Sequence, residues 1–419
     1  MKTAIVILNW NGEKHLKRFL APLLHSIRNY DARVMIADNN SIDGSISYVE
    51  NTFEERVQVL CFPKNYGFAE GYNRALASLD AQYYLLLNSD VLVEGDWLYA
   101  LEEWMDLHED CAACGPKILS YQERDRFEYA GAAGGLLDKY GYSFCRGRIL
   151  SYTEKDEGQY DLPQDVFWCS GACLMVRASA WKELGGFDER YFAHFEEIDF
   201  CWRARLAGWR ISYVPRSSVW HIGGGTLPSD SPWKLKLNYR NNLLTLWKNE
   251  ARTQSLLFFY EAVTELIRSE TDDFSGWTIY KLWLEIQDRA FLANLSSKAA
   301  MLGLARRNTL VWRRMILDGL SALVYLVKGQ KDRFKAVWEA HKEFKVLREE
   351  GQQDTRESIS EWLLDRVDKG DAEKMLYLEY DEDSGLEIGL KARYNGWMIP
   401  TALREKENAH ETINKEIRL

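Results

Sequence analysis

Short apolar runs that end in polar residues recur through the first 115 positions, with helical periodicity between them. Ala4–Asn9, Arg33–Asp38, Val57–Phe62 and Tyr83–Leu87 read as strands, and His15–Ile27 and Phe68–Leu79 as the helices that alternate with them. Strands spaced this way predict an α/β fold: a mostly parallel sheet with helices on both faces. The polar residues gather where the strands end, at Asp38-Asn39-Asn40-Ser41 and Asn88-Ser89-Asp90. In open α/β sheets that edge is where ligands bind.

The pattern weakens from 116 to 165, where Gly131, Gly134, Gly135, Gly141 and Gly147 mark a loop-rich lid or acceptor region. Strand character resumes over Phe167–Arg177, a helix opens at Phe195–Ala207, and two short strands follow at Ile211–Pro215 and Val219–Ile222. After about 235 the chain becomes helical and charged. This predicts a catalytic domain over 1–245, a helical C-terminal region over 246–350 and an acidic tail over 351–419.

Charge sharpens that division. The net charge of −10 hides a segment, 298–348, with 12 basic and 4 acidic residues, and a stretch, 349–419, with 10 and 18. Trp312, Met315, Leu317, Leu320, Leu323 and Leu326, beside Arg313, Arg314 and Lys328, suggest an apolar face that docks on the inner face of a membrane. The same face could equally pack on the catalytic domain, with the basic residues paired to the tail. The apolar stretch Met315–Val327 is interrupted by Asp318 and too short to span a bilayer. An overall acidic balance argues against nucleic acid as a partner. The apolar run Ala4–Leu8 is too short for a leader, and seven cysteines at irregular spacing suggest free thiols in a cytoplasmic setting. Cys111-Ala-Ala-Cys114 has redox or zinc spacing but no second such pair, so buried thiols on a strand are expected.

The candidate chemistry sits at the strand ends. Asp90 fits a hard divalent cation, because Mg²⁺ commonly takes one or two carboxylates plus phosphate oxygens. Asp38 can accept hydrogen bonds from a base or ribose, although Ser41 beside it also reads as a simple helix cap. Gly67 and Gly71 allow close backbone approach at a helix start that favours anions. No P-loop lysine follows, and Asn9-Trp10-Asn11-Gly12 after the first strand is no dinucleotide fingerprint. In Phe195-Glu196-Glu197-Ile198-Asp199 three carboxylates crowd one helix start, which tends to raise a pKa and suits a general base. They also suit the helix dipole without any catalytic role. His221, before Gly223-Gly224-Gly225, is a candidate second metal ligand.

In this order the motifs resemble family 2 glycosyltransferases, the inverting enzymes of the GT-A fold, in their rhamnosyltransferase-like branch. The resemblance rests on Val6-Ile-Leu-Asn9-Trp-Asn11, Ala37-Asp38-Asn-Asn-Ser41-x-Asp43-Gly44-Ser45, Asn65-x-Gly67-Phe68-Ala69-x-Gly71-x-Asn73 and Leu86-Leu-Asn88-Ser-Asp90. It continues through Ser170-Gly171-Ala172, Gly185-Gly186-Phe187-Asp188, Phe195-Glu196-Glu197-Ile-Asp199-Phe-Cys-Trp-Arg203 and Val219-x-His221, covering about 1–245. It implies a nucleotide-sugar donor, a glycan or lipid-linked acceptor, and Mg²⁺ or Mn²⁺ as cofactor. Asp38 would bind base or ribose, with Asn9, Asn11, Asn40, Asn65, Gly67, Asn73, Asn88 and Ser89 on the donor side. Asp90 and His221 would hold the metal, and Glu197, supported by Glu196, would be the base. Trp168, Gly171, Ala172, Asp199 and Arg203 would face the acceptor. Many members have Glu-Asp where this chain has Glu-Glu. Two other readings compete, a sugar nucleotidyltransferase and a non-catalytic nucleotide-sugar binding module. The first wants a basic glycine-rich loop after strand one, and the second would tolerate loss of Asp90 or the acidic pair.

Overall fold

A computed structural model describes residues 1–129, 131–138, 140–149, 152–223, 231–270, 289–351 and 354–368. The amino-terminal half builds strands β1 (Thr3–Asn9), β2 (Ala32–Asp38), β3 (Val57–Cys61) and β4 (Tyr83–Leu87). Helices α1 (Glu13–Ser26), α2 (Ser45–Phe53) and α3 (Gly67–Leu76) lie between them. β1 and β4 are buried on both faces, which is why they read as unbroken apolar runs rather than as alternation. In α1 the buried Leu16, Phe19, Leu20 and Leu23 follow the helical period and lay one face on the sheet.

Next come β5 (Val91–Val93), α4 (Trp97–Leu107) and the long β6 (Cys111–Ser120). A small antiparallel sheet follows, of β7 (Gly135–Leu137), β8 (Ser143–Cys145), β9 (Arg148–Ile149) and β10 (Tyr152–Thr153). β11 (Gln164–Asp165), β12 (Cys173–Arg177), α5 (Ala178–Leu184), α6 (Glu196–Leu206) and β13 (Arg210–His221) complete the amino-terminal half. The main sheet runs β11-β13-β6-β12-β4-β1-β2-β3, with β5 paired to β13. It is parallel from β3 to β4; beyond that β12 runs antiparallel to both neighbours while β13 runs parallel to β6.

Three local expectations change. Phe167–Arg177 is a strand only from Cys173, and the turn before it lies by the sheet edge. The two short strands around 211–222 are one strand, β13, interrupted by a register shift between Val214 and Ser218. The glycine-rich region holds the small sheet rather than loop alone. Cys111 and Cys114 are buried free thiols on β6.

The helical region comprises α7 (Pro232–Glu270), α8 (Arg289–Val327), α9 (Lys331–Glu350) and α10 (Arg356–Asp368). Position 245 falls inside α7, so no boundary between elements lies there. Trp202 Nε1 on α6 donates to Thr253 Oγ1 on α7 at 2.9 Å, one of the ties that fix the two together. Of the tail expected over 351–419, α10 packs on α8, and 369–419 lie outside the described residues. None of the described helices is long and apolar enough to cross a membrane. The apolar face expected on α8 is redistributed. Trp312, Leu320, Leu323 and Leu326 are exposed with Ile316 and Val327, whereas Met315 packs against the core. Arg314 is buried and paired with Asp318 at 2.8 Å, which explains how an acid interrupts that helix and removes Arg314 from the surface.

Candidate active site

Parallel pairing in register sets Asn9 at the end of β1 beside Asp38 at the end of β2. Asp38 Oδ1 accepts from Asn9 Nδ2 at 2.8 Å and from Ser41 Oγ at 2.6 Å, and Oδ2 accepts from the Ser41 amide at 2.9 Å. The carboxylate is thereby oriented, and Oδ2 keeps acceptor capacity for a ligand. Asn11, in a left-handed backbone conformation, donates its amide to Ser41 Oγ and accepts from the Ile42 amide, closing this corner. Asn40 is also left-handed and is exposed.

The α3 start does a different job from the one expected. The Phe68 and Ala69 amides donate to the Phe192 carbonyl, and the Gly67 amide donates to Asn65 Oδ1. These donors are therefore occupied by protein, not open to an anion. Gly67 has φ +75, and a Cβ there would meet the Phe192 ring at 2.6 Å, so the contact requires glycine. Asn73 holds both polar groups of Phe187: it donates to the carbonyl at 2.8 Å and accepts from the amide at 2.9 Å. Its side chain staples the loop that precedes α6.

Asp90 leaves β4 just after Asn88 and Ser89, and β13 returns alongside β5 so that His221 pairs with Val91. This brings His221 Nε2 to 3.1 Å from Asp90 Oδ1, both residues being more than nine-tenths buried. Glu128, which the sequence did not single out, lies 3.6 Å from His221 Nδ1. Burial opposes a charged imidazole, but Asp90 and then Glu128 outweigh it and raise His221 to about 10. Burial likewise opposes the Asp90 carboxylate, and His221 outweighs it and holds the group below its usual range. The carboxylates thus favour positive charge at this corner; in the protein alone that charge is the His221 proton, which a metal ion would displace on binding the imidazole nitrogen. One carboxylate oxygen and one imidazole nitrogen suit an ion that draws its other ligands from phosphate and water. No cluster of three or more acidic, histidine or cysteine ligands occurs among the described residues.

The acidic pair opens α6 behind a strained approach. Phe192, His194 and Phe195 all have positive φ, a rare conformation for residues with side chains. They are held from α7: Asn241 Nδ2 lies within 3.0 Å of the carbonyls of Tyr191, Ala193 and His194. Arg240 adds bonds to the carbonyls of Arg190 and Tyr191. Neither side chain was a sequence candidate, because their partners lie some fifty residues away. Burial pushes both glutamates up, Glu196 well above the ordinary range with the Glu197 charge adding to it, and Glu197 to about 7. One carboxylate oxygen of each is buried without a hydrogen-bond partner among the described residues. The Nε2 of the half-buried His194 is likewise without a partner among the described residues, and desolvation pushes this ring down to about 4.

The turn at Gly171 joins the two corners. A Cβ on Gly171 would touch the Phe68 ring and come within 4.0 Å of Glu197 Cβ, and the neighbouring Ala172 carbonyl accepts from the Asn88 amide at 2.9 Å. Trp168 is buried against Gly135 and donates Nε1 to the Leu136 carbonyl, fastening the small sheet. Asp199 and Arg203 take part in an ion-pair network with α7. Asp199 is fully buried, bonded to Arg203, Lys248 and Asn249, each at 2.8 to 2.9 Å. Burial opposes its charge, but Lys248 and Arg203 outweigh that and hold the carboxyl low. Arg203 also donates to the carbonyls of Leu184 and Gly186.

With this geometry stand the relatives. The family model for glycosyl transferase family 2 matches residues 4–185. N-acetylglucosaminyl-diphospho-decaprenol L-rhamnosyltransferase of Mycobacterium tuberculosis is 29% identical over 261 residues, covering 58% of this chain and 83% of its own. Rhamnosyltransferase WbbL of Escherichia coli is 26% identical over 226 residues, covering 52% and 82%. Among solved structures, S. aureus TarS 1-349 in complex with UDP-GlcNAc superposes with a TM-score of 0.44 at 16% identity, over 82% of this chain and 92% of that one. That structural likeness is too distant to bear on chemistry.

Proposed function

We propose, from the premise that this chain carries a family 2 glycosyltransferase domain, that it transfers one sugar with inversion from a nucleoside-diphosphate donor to a hydroxyl of a glycan or lipid-linked acceptor. The observation that carries this reading is the Gly171 turn, which contacts both the β4 end leading to Asp90, through Asn88, and the α6 start that bears Glu197. Breaking a sugar–phosphate bond develops negative charge on the departing diphosphate. Asp90 and His221 would hold Mg²⁺ or Mn²⁺, which supplies neutralisation of that charge. Asp38 accepts hydrogen bonds from the nucleoside and fixes the donor. Glu197 takes the proton of the acceptor hydroxyl as that oxygen attacks the anomeric carbon from the face opposite the diphosphate. A single displacement inverts the anomeric centre. Burial, with the Glu197 charge adding to it, pushes the Glu196 carboxyl well above the ordinary range, which favours Glu197 as the member of the pair that acts as base.

Relatives acting on N-acetylglucosaminyl-diphospho-decaprenol or named rhamnosyltransferases favour dTDP-rhamnose, with a UDP-sugar as the other donor class, and a lipid-linked acceptor in cell-surface polysaccharide synthesis. The exposed stripe of Trp312, Ile316, Leu320, Leu323 and Val327, within a segment whose basic residues exceed its acidic ones 12 to 4, supports docking on an anionic membrane surface. Sedimentation with anionic liposomes at low and high salt tests that part. The activity itself is tested by release of nucleoside diphosphate from dTDP-rhamnose and from UDP-sugars, with an N-acetylglucosaminyl-diphospho-prenol acceptor, in Mg²⁺, Mn²⁺ or EDTA. Release that does not depend on acceptor, from every donor tried, would remove the transferase reading.

A further inference from the structure

A cavity of about 550 Å³ lies where the carboxyl end of α6 meets α7, α8, α9 and α10. It is not the catalytic mouth: α6 spans eleven residues, roughly 15 Å at 1.5 Å per residue, and the acidic pair is at its other end. Among the described residues, seven cationic side chains and three acidic ones line it. Most of the cations are matched. Arg190 pairs with Asp188 at 2.6 Å, Arg203 and Lys248 with Asp199, and Arg252 with Asp354 at 2.9 Å. Of the lining acids, Glu183 is exposed and accepts from Trp209, and Glu350 is exposed at the rim.

Two cations remain. Arg307 of α8 is 4% exposed and Arg348 of α9 half-buried, and neither has an ion pair or hydrogen bond among the described residues. The Nε of each is buried without a partner. Both guanidiniums lie over the same Trp247 ring, at 3.7 and 5.1 Å from its centroid. Burial opposes the charge on Arg307; Asp354 supports it, and Arg348 adds repulsion. Burying a guanidinium unpaired beside a second like charge is costly, and the cost is removed by an anion that both can bond. Guanidinium forks match phosphate oxygens bidentately, and Trp247 fixes the forks from behind.

We propose that this cavity is a second anion site, separate from the catalytic mouth, which takes the diphosphate group of a small ligand between Arg307 and Arg348. The volume exceeds that of a diphosphate and leaves room for a sugar, nucleoside or short lipid portion. Its walls come from the amino-terminal half and from four of the helices that follow, so an occupant ties the two together. The site does not depend on the donor or acceptor assigned above.

Calorimetric titration of the full chain with sodium pyrophosphate in EDTA tests it, since metal-dependent diphosphate binding at Asp90 is then silent. One pyrophosphate should bind per chain, with affinity weakened roughly tenfold or more by Arg348→Gln, as expected for loss of a charged hydrogen bond. Arg307→Met should do the same, and Asp90→Ala should leave the affinity unchanged. Uridine diphosphate and geranyl diphosphate, titrated into the same variants, identify a nucleotide or a lipid source by which gains affinity over pyrophosphate. Absence of binding by the full chain, or binding that survives Arg348→Gln, or binding lost in Asp90→Ala, overturns the proposal. Arg348 is only half-buried, so its variant folds and decides the matter even where Arg307→Met does not.

Discussion

His221 Nε2 lies 3.1 Å from Asp90 Oδ1 although 131 positions separate them in the chain. Pairing of β13 with β5 brings them together, and burial on both sides makes each dependent on the other's charge.

Asp90→Ala is expected to abolish transfer while the protein stays folded, because the side chain bonds only the last residue of β13, His221, at the end of the sheet. Turnover in saturating Mn²⁺ and a thermal melt measured together check this. Near-normal turnover in a folded variant would remove Asp90 from the donor clamp.

Glu197→Gln is expected to lower kcat by about 10²–10⁴, the usual cost of removing a general base, with donor affinity little changed. Glu196→Gln should retain far more activity. It should also melt higher than the parent at pH 8 and alike near pH 4. A carboxyl whose folded pKa is raised loses folding stability as pH rises above its unfolded value, and glutamine removes that loss. The opposite ranking of the two variants in kcat would exchange their roles.

The pH profile follows from Glu197 at about 7. The base must be deprotonated in the free enzyme, so kcat/KM should fall as pH drops below about 7. For an ordinary glutamate the fall would come only near 4. A flat profile between pH 5 and 8 would show that another group takes the proton.

Asn241→Ala should cost kcat more than donor KM. Its amide lies within 3.0 Å of three carbonyls in the strained approach to Glu196, and unbonded buried carbonyls cost about 1–3 kcal/mol each. Unchanged kcat in a folded variant would show that the loop holds its shape without α7.

Asp199→Asn should act on stability rather than on acceptor binding. Leaving Lys248 and Arg203 without their buried partner costs about 3–5 kcal/mol. A rise in acceptor KM at an unchanged melting temperature would instead place Asp199 in the acceptor pocket.

The alternating half of the sheet was legible because local chemistry dictates it. Apolar runs such as Tyr83–Leu87 can only be buried strands, and Asp38 and Asp90 mark where they end. The crowded carboxylates at Glu196 and Glu197 were legible for the same reason, although their raised pKa comes chiefly from burial, which no spacing displays. What the chain order hides is long-range. Glu128 beside His221, and Asn241 gripping the Tyr191–His194 carbonyls, depend on strand pairing and on α7 packing across the loop. Asn73, Trp168, Asp199 and Arg203 each bear a functional group that a ligand could use, and the structure commits them to protein partners instead. Side-chain type fixes what a residue is able to bond. Only the tertiary structure decides, by putting a backbone or an opposite charge within reach, whether that capacity is already spent.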